Sequence, residues 1–356
     1  MDWTGIGISL LKALVVFGLV FQAVPIMTWV ERRGSAFIQN RLGPNRVNIA
    51  GFALFGLIQP LADAVKFLWK EDYIPSHAHR AFYLMAPVLL LIPASMTFAV
   101  IPFGDVLILG GRTIQLQVAD LNVGILYVFA LSSLSVYGIV LAGWASNNKY
   151  SLLGGVRSSA QMISYELSLG LSVVGILMIY GAIQLDEIVL GQGEMLWGWL
   201  PKWGIVTQPL AFFLFLAAVF AESNRLPFDL PEAESELVVG YHTEYSAMKF
   251  GLFMMAEYMA MITGSMLVVT LFFGGWQIPF VTSEELRQAV GAVPAALLQA
   301  GSFSTKLVFF LWLFIWVRWT LPRFRYDQLM RIGWKAMLPL ALLNLFVTGV
   351  VLYALR

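Results

Sequence analysis

The sequence predicts an all-α, polytopic integral membrane protein with about eight transmembrane helices and an amphipathic helix on the cytoplasmic side. Of the 356 residues, 59% are hydrophobic and only 12% are charged, whereas soluble domains carry roughly 25% charged residues. Apolar runs recur along the chain, and each is long enough to cross roughly 30 Å of hydrocarbon. Lys and Arg residues gather in every second connection between these runs. Together these features indicate a bundle of membrane helices.

The predicted spans lie near residues 6–30, 81–102, 121–144, 160–181, 208–226, 247–274, 303–321 and 332–355. The first run ends in Glu31-Arg32-Arg33 with no small-residue cleavage site, so we predict a span and not a cleaved signal peptide. The chain has no internal sequence repeat, which disfavours an inverted-repeat transporter. Residues 1–356 are therefore predicted to form a single membrane domain.

Residues 46–70 are predicted to form an interfacial amphipathic helix and not a further span. Two stripes with helical spacing support this, one of Leu54, Ile58, Leu61, Val65 and Leu68 and one of Gln59, Asp63, Lys66 and Lys70. Separate apolar and polar faces are typical of a helix that lies in the membrane interface. Pro60 is a candidate kink.

Basic residues predict the orientation of the bundle. The connections after the odd-numbered spans hold Arg32, Arg33, Arg41, Arg46, Lys66, Lys70, Arg80, Lys149, Arg157, Arg225, Lys249, Arg318, Arg323, Arg325, Arg331 and Lys335, whereas the others hold Arg112, Lys202 and Arg287. Because cytoplasmic connections are rich in Lys and Arg, the odd-numbered connections are predicted to be cytoplasmic. Both termini would then lie on the periplasmic side of a bacterial inner membrane.

Composition limits the chemistry that the chain performs alone. With no cysteine, the chain offers no thiolate ligands for iron–sulfur clusters or metals. The three histidines, His77, His79 and His242, fall between the apolar runs, which disfavours a haem held between spans. We therefore predict no bound metal or cofactor, and the net charge of +1 gives no reason to expect nucleic acid as a partner.

Three carboxylates lie within or at the ends of predicted spans, namely Glu166, Glu222 and Glu257. An ionised carboxylate at bilayer depth costs at least ~2.5 kcal/mol, so such residues face protein or water and often mark a proton route. The alternative is a satisfied interhelical hydrogen bond or ion pair. Three of them in consecutive spans favour the proton route.

An acidic cytoplasmic loop is predicted over residues 222–246. It begins with Glu222, Asp229, Glu232, Glu234 and Glu236, and Arg225 is the only cation among them. The simplest interpretation is an acidic helix start in solvent, because Asp229 and Pro231 suit that position. The continuity with Glu222 instead favours coupled proton binding, since closely spaced carboxylates cannot all ionise at low cost.

The first cytoplasmic connection carries Glu31, Arg32, Arg33 and Arg41, together with Gly-Pro turn chemistry. These arginines either anchor to lipid headgroups or shape a fixed pocket. With the amphipathic helix that carries Asp63, they are predicted to wall a tunnel for a lipid-like substrate. Arg318, at the end of span seven, is a weaker candidate and is also explained as a headgroup anchor.

Several long sequence blocks resemble one family, the quinone-site membrane subunits of respiratory complex I, the proton-pumping NADH:quinone oxidoreductase. In chain order these blocks are Glu31-Arg32-Arg33, Gln39-Asn40-Arg41-Leu42-Gly43-Pro44-Asn45-Arg46, Lys70-Glu71-Asp72, Gly143 to Tyr150, Ser159 to Glu166, Ala221 to Tyr245, and Leu321 to Gln328. The order and length of the blocks set this resemblance apart from a chance match of one short motif.

The resemblance implies that the chain forms the membrane part of a quinone chamber and couples quinone reduction to proton translocation. The implied chamber residues are Glu31, Arg32, Arg33, Arg41, Asp63, Arg225, Phe228 and Arg318, and the implied proton route is Glu166, Glu222, Asp229, Glu232, Glu234, Glu236 and Glu257. Quinone would be the substrate, and NADH, FMN and iron–sulfur clusters would bind partner subunits. The implied partners are the peripheral quinone-site and iron–sulfur subunits, the small and antiporter-like membrane subunits, and membrane lipids.

Some relatives carry a further glutamate within span three, where this chain offers Ser135 and Tyr137. A relay there would need water or Tyr137. The alternatives to the complex I assignment are a homologous subunit of a membrane-bound hydrogenase or formate hydrogenlyase, a stand-alone proton-coupled transporter, and a structural anchor.

Overall fold

The computed structural model describes residues 3–109, 112–232 and 234–355 and is predominantly helical. The helices are α1 (Trp3–Ile38), α2 (Gln59–Trp69), α3 (Arg80–Met96), α4 (Gly124–Ala145), α5 (Lys149–Tyr180), α6 (Leu185–Gln192), α7 (Gly204–Thr207), α8 (Pro209–Glu222), α9 (Glu234–Leu237), α10 (Ala247–Phe272), α11 (Ser283–Val290), α12 (Ala292–Thr320), α13 (Tyr326–Arg331) and α14 (Leu338–Ala354). Strands β1 (Val106–Leu109) and β2 (Arg112–Gln115) form one antiparallel hairpin, and β3 (Met195–Leu196) and β4 (Leu200–Pro201) form another.

Seven helices or continuous helical segments are long and apolar enough to cross a membrane. They correspond to all of the predicted spans except the fifth, so the prediction of an all-α, polytopic membrane fold is confirmed. The fifth apolar run forms α8, which has only 14 residues and is therefore about 21 Å long at 1.5 Å per residue. Pro209 begins α8 and Gln208 separates it from the single turn of α7, so the run is shorter than the predicted span 208–226.

Two long helices extend beyond the apolar runs that predicted them. Helix α1 continues to Ile38, so Glu31, Arg32 and Arg33 lie in its last turns and not in a loop as predicted. Helix α5 begins at Lys149, where the Asn148 side chain accepts a hydrogen bond of 2.9 Å from the backbone amide of Tyr150. Such an N-cap satisfies an otherwise unpaired amide. These extensions project charged residues from the end of the bundle that carries most of the basic residues, here called the basic end.

The amphipathic helix is shorter than the predicted 46–70. Residues 46–58 form turns and a 3₁₀ helix at Leu54–Gly56, and α2 begins at Gln59. Pro60 lies in the first turn and produces no kink, because proline fits there without losing an intrahelical hydrogen bond. Helix α2 packs against α1 and α10.

The connection between α8 and α10, residues 223–246, also lies at the basic end. It consists of turns, the four-residue helix α9, and a 3₁₀ helix at Gly240–His242. The predicted helix start at Asp229 and Pro231 is wrong, because the described residues 223–232 form turns. Gly240 has φ +68°, and a Cβ there would lie 1.7 Å from the carbonyl oxygen of Pro231. Only glycine fits this close approach, which folds the connection back on itself.

Helix α10 lies at the centre of the bundle, in contact with α2, α3, α8 and α12. Its side chains are buried on nearly every face, and a helix that is apolar all round is expected in such an interior. Glu257 is a buried polar exception in its middle. The central position of α10 therefore brings this carboxylate within reach of residues from several other helices.

Candidate functional site

Five side chains from four parts of the chain form a buried charge cluster at the basic end. They are Glu31 in α1, Arg225 after α8, Glu257 and Tyr258 in α10, and Arg318 in α12. Glu31, Arg225 and Glu257 are each less than a tenth exposed. Charges at this depth are stable only when they are paired and hydrogen-bonded. The four predicted residues among them are thus brought together in one network.

Glu31 is the shared acceptor of this network. Its Oε1 lies 2.5 Å from the Arg318 guanidinium, and its Oε2 accepts a hydrogen bond of 2.8 Å from the Tyr258 hydroxyl. The Arg225 guanidinium lies 3.4 Å from the same Oε2. Arg318 is therefore a partner of a buried carboxylate, and its interpretation as a headgroup anchor is wrong.

Arg225 connects the two carboxylates of the cluster. One terminal nitrogen approaches Glu31, and the other lies 3.6 Å from Oε2 of Glu257. Its guanidinium carbon also lies 4.3 Å from the ring centroid of Tyr258, close enough for a cation–π interaction. Two acidic side chains predicted for different roles, Glu31 for the chamber and Glu257 for the proton route, therefore share one cation.

Asp229 lies beside this cluster and pairs with Arg323 at 2.9 Å. Burial raises the pKa of Asp229, and the neighbouring Arg323 opposes that shift. Arg323 thus holds a buried carboxylate. The carboxylate is not exposed as a solvated helix start would require.

A buried His242 contacts the half-buried Glu232 in the same connection. The His242 Nε2 lies 3.7 Å from Oε1 of Glu232. Burial raises the pKa of Glu232 well above its usual range, with further contributions from Glu257 and Asp229, and burial lowers the pKa of His242 to about 4. Both shifts favour neutral side chains near neutral pH.

A separate cavity of about 60 Å³, largely apolar but with several polar side chains in its lining, lies between α3, α4, α8 and α10. Its lining includes Glu222, Ser132, Ser135 and Thr263. A cavity needs only about 10–15 Å³ of such volume for each water molecule, so this one is large enough for several. Ala260, one turn beyond Glu257 on α10, also lines it and places the cavity next to the buried charge cluster.

Helix α4 supplies hydroxyl groups and not a carboxylate to this region. Ser133 donates a hydrogen bond to Glu166 in α5, and Ser135 lines the cavity. Tyr137, by contrast, is 64% exposed on the outside of the chain. Ser133 and Ser135 therefore face the interior on this part of α4, whereas Tyr137 faces outward.

The remaining predicted chamber residues lie at the edge of the basic end. Arg32 pairs with Asp63 of α2 at 2.5 Å, and Arg33 donates to the Phe55 carbonyl at 2.8 Å. Arg41 contacts Gln39 at 2.7 Å. An open groove of about 460 Å³ is lined by Arg32, Arg41, Leu42, Gly43, Pro44, Asn45, Arg46 and Gln59. These residues fix α2 and the preceding turns against α1, apart from the buried cluster.

Phe228 lies inside the bundle, where its ring packs at 5.4 Å from Tyr165 and 5.5 Å from Phe324. The Gln161 side-chain amide donates to the carbonyls of Phe228 and Ala221, each at 2.8 Å. Gln161 thereby fastens both ends of the turn that carries Arg225 to α5. Its role was not predicted, because a lone glutamine in a span carries no distinctive sequence signal.

The acidic residues after position 232 lie elsewhere. Glu236 is exposed and pairs with Arg157 at 2.8 Å, whereas the Glu234 side chain lies outside the described residues. The acidic block of the sequence is therefore divided between the buried Asp229, the half-buried Glu232 and a surface ion pair of Glu236. Among the residues that the structure describes, no group of three or more His, Asp or Glu side chains could hold a metal ion.

Tyr258 is the functional candidate that sequence reasoning missed within the cluster. Its position directly after Glu257 was available as a signal, but aromatic residues are common in apolar spans. Only the packing of α1 against α10 shows that its hydroxyl reaches Glu31. The side chain both donates to the carboxylate and stacks under Arg225.

The fold and this cluster define a class, the polytopic helical membrane proteins with ion-paired carboxylates buried in the bundle. A family model described as NADH dehydrogenase matches residues 11–349. A subunit of the NADH-quinone oxidoreductase of Thermomicrobium roseum is 51% identical over 354 residues, which cover 99% of this chain and 98% of the relative.

The corresponding NADH-quinone oxidoreductase subunits from Leptospira biflexa and Bdellovibrio bacteriovorus are 51% and 49% identical, over 95% and 96% of this chain and 93% and 95% of theirs. The chain belongs to the NADH dehydrogenase family. The sequence resemblance to the membrane subunits of complex I is thereby confirmed.

Proposed function

We propose that this chain is the membrane subunit of an NADH:quinone oxidoreductase that forms the membrane part of the quinone chamber and couples quinone reduction to proton translocation. The names of its relatives support this function over a hydrogenase subunit or a stand-alone transporter. The observation that carries the coupling role is the bridge of Arg225 between Glu31 and Glu257. A change of charge at either carboxylate is felt by the other through their common cation.

The chamber in this proposal comprises Glu31, Arg32, Arg33, Arg41, Asp63, Arg225, Phe228 and Arg318. A quinone headgroup would pass α2 and the turns before it, which the pairs Arg32–Asp63 and Arg33–Phe55 hold in place. Quinone is the substrate. NADH, FMN and the iron–sulfur clusters belong to peripheral partner subunits in this proposal. For the clusters, the supporting observation is that this cysteine-free chain supplies no thiolate ligand.

The proton route in this proposal comprises Glu166, Glu222, Asp229, Glu232, Glu234, Glu236 and Glu257. Reduction of a quinone leaves negative charge that protons must neutralise, and the buried acids lie between the chamber residues and the cavity beside Glu222. The cavity and the serines of α4 supply polar contacts where the chain has no further carboxylate. Proton transfer toward small and antiporter-like membrane subunits would follow the side of α10 that faces this cavity.

The orientation in this proposal places the basic end in the cytoplasm and both termini in the periplasm of a bacterial inner membrane, since Lys and Arg are concentrated at that end. In this orientation residues 222–246 form the acidic loop on the cytoplasmic side, and α2 lies in the membrane interface on that side. The exposed apolar side chains on α1, α12 and α14 suit contact with lipid or with neighbouring membrane subunits.

The test uses the assembled complex in sealed vesicles, with NADH-driven quinone reduction and proton uptake measured together. Glu222→Gln and Glu257→Gln should each lower quinone-coupled pumping by at least about tenfold, as expected for loss of a proton-transferring group. Glu284→Gln, on the exposed helix α11, is the matched control. Oxidation of NADH with a hydrophilic electron acceptor reports assembly. If both variants retain wild-type quinone reduction and pumping, the chain is a structural anchor and the proposal is wrong.

A further inference from the structure

His242 occupies an unusual environment for a histidine at the polar end of a membrane protein. It is only 2% exposed, and its ring is enclosed by Tyr241, Phe250 and Phe253 at centroid distances of 4.7, 5.2 and 6.5 Å. Its Nδ1 has no hydrogen-bond partner among the described residues. A buried, unpaired ring nitrogen is costly, so this residue is not explained by packing alone.

The other ring nitrogen points to a carboxyl group. Nε2 lies 3.7 Å from Oε1 of Glu232, which is too far for a hydrogen bond. A displacement of about half an ångström would bring the two atoms within the roughly 3.2 Å at which protons transfer. The contact is therefore close to, but short of, a proton-exchanging pair.

Other charged groups around this pair are already engaged. The 3₁₀ helix that carries His242 packs against α4 and α5. Helix α4 contains no charged residue, and Arg157 of α5 pairs with Glu236. Lys249 of α10 pairs with Asp72 at 2.7 Å. Tyr241 adjoins the imidazole. The charges that act on Glu232 are those of Glu257, Arg225 and Arg318 in the cluster and of the neighbouring Asp229.

We propose that His242 is the proton-exchange partner of Glu232 and forms a closed side branch of the acidic route, in which the proton moves when the connection between α8 and α10 shifts. The proposal rests on the proposed function, because it gives Glu232 a partner within that route. The branch is closed because Nδ1 leads to no further acceptor among the described residues. His242 thus stores a proton and returns it to Glu232.

The exchange conserves charge. In the resting state Glu232 carries the proton on Oε1 and the neutral imidazole carries its own proton on Nδ1. When the gap closes, the Oε1–H bond breaks and an Nε2–H bond forms, which leaves a carboxylate and an imidazolium with no net change. Burial favours the neutral pair while the atoms are apart, and a shorter distance favours the ion pair because Coulomb attraction grows as separation falls.

This exchange allows Glu232 to ionise without adding net charge to the buried cluster. An isolated carboxylate there would repel Glu257 and Asp229 and would lose its hydration. With an imidazolium beside it, the same carboxylate is one half of a pair. The residue that holds the proton, Glu232 or His242, therefore depends on the position of the connection between α8 and α10. This connection carries Arg225 near one end and His242 near the other.

The experiment compares infrared difference spectra of the assembled complex before and after NADH-driven quinone reduction, with labelled histidine, in wild type, His242→Gln and Glu232→Gln. His77→Gln is the matched control, because His77 is exposed at the same end of the chain. The wild type and the control should show loss of a protonated carboxyl band together with gain of a labelled imidazolium band. Both variants should lack the imidazolium signal.

Kinetics supply a second readout. His242→Gln should lower quinone-coupled pumping roughly tenfold, and the double variant should be no slower than the slower single variant, since contacting residues that act in one step are not additive. If the wild type pumps and His242→Gln keeps both the full imidazolium band and the full pumping rate, the inference about His242 is wrong and the proposed function is unaffected. A wild type that shows no quinone-dependent pumping overturns the proposed function instead.

Discussion

Glu31 and Arg225 lie 194 positions apart in the chain, yet their side chains meet at 3.4 Å in the interior of the bundle. Glu31 lies near the end of the long first helix, and Arg225 lies on a turn that Gln161 fastens to α5. Their contact joins the part of the sequence that predicted a substrate tunnel to the part that predicted a proton route. In the proposed function, the contact between Glu31 and Arg225 is therefore the place where substrate binding and proton transfer are coupled.

Replacement of Arg225 by Met should destabilise the protein strongly. Removal of one member of a buried ion pair costs about 3–5 kcal/mol, because the remaining charge is left unpaired. Here Glu31 keeps Arg318 and Tyr258 as partners, whereas Glu257 has no other ion-pair partner within 4.0 Å among the described residues. We expect a lower thermal midpoint of the purified complex and loss of quinone-reductase activity.

The matched control for Arg225→Met is Lys149→Met, which removes an exposed cation at the same end of the bundle. Arg225→Lys tests the geometry, because an ammonium retains the charge but lacks the fork that reaches two carboxylates. A double variant Arg225→Met/Glu257→Gln should recover part of the stability by removing the unpaired charge. Equal midpoints for wild type and Arg225→Met would contradict the bridging role.

Acid should destabilise the region around His242 in a defined window. The pKa of His242 is about 4 in the folded chain and 6.5 for a free imidazole, so the unfolded chain binds the extra proton first as the pH falls. Stability contributed by the neutral imidazole is present above pH 6.5, is lost progressively between about pH 6.5 and 4, and changes no further below that. The full difference is about 3 kcal/mol.

His242→Gln removes this titration while keeping a polar side chain of similar reach. The pH dependence of the thermal midpoint should therefore be flatter in the variant than in the wild type over that window, and the difference between the two isolates the imidazole from the carboxyl groups. Parallel curves for the two proteins would show that His242 titrates normally in the folded chain.

The membrane spans and the acidic positions were predictable from sequence because both depend on composition along the chain. Apolar runs are long enough to cross a bilayer, and a carboxylate inside such a run is conspicuous. The partners were not predictable in the same way. An arginine at the end of a span looks identical in the sequence whether it reaches lipid headgroups or a buried acid, so the sequence left both interpretations open for Arg318. Only the packing of α1, α10 and α12 distinguishes the two cases.

The predicted ends of the helices were wrong for a related reason. Hydropathy detects where a helix leaves the bilayer and not where the helix ends, so α1 and α5 extend well past their apolar runs. Conversely, residues 46–58 share the apolar spacing of α2 but form turns. Periodic spacing shows which face a helix would bury, whereas tertiary contacts decide whether the helix forms.

Two residues on α4 should respond differently to removal of a hydroxyl group. Ser133 donates to Glu166, and its loss leaves that carboxylate without this partner inside the bundle. Ser133→Ala should therefore slow quinone-coupled proton pumping in vesicles, by roughly 2- to 13-fold if the lost hydrogen bond contributes about 0.5–1.5 kcal/mol. Tyr137→Phe should leave pumping unchanged, because the Tyr137 side chain lies on the outside of the chain. If Tyr137→Phe slowed pumping and Ser133→Ala did not, the relay would lie on the outward face of α4. The cavity beside Glu222 would then lie outside the proton route.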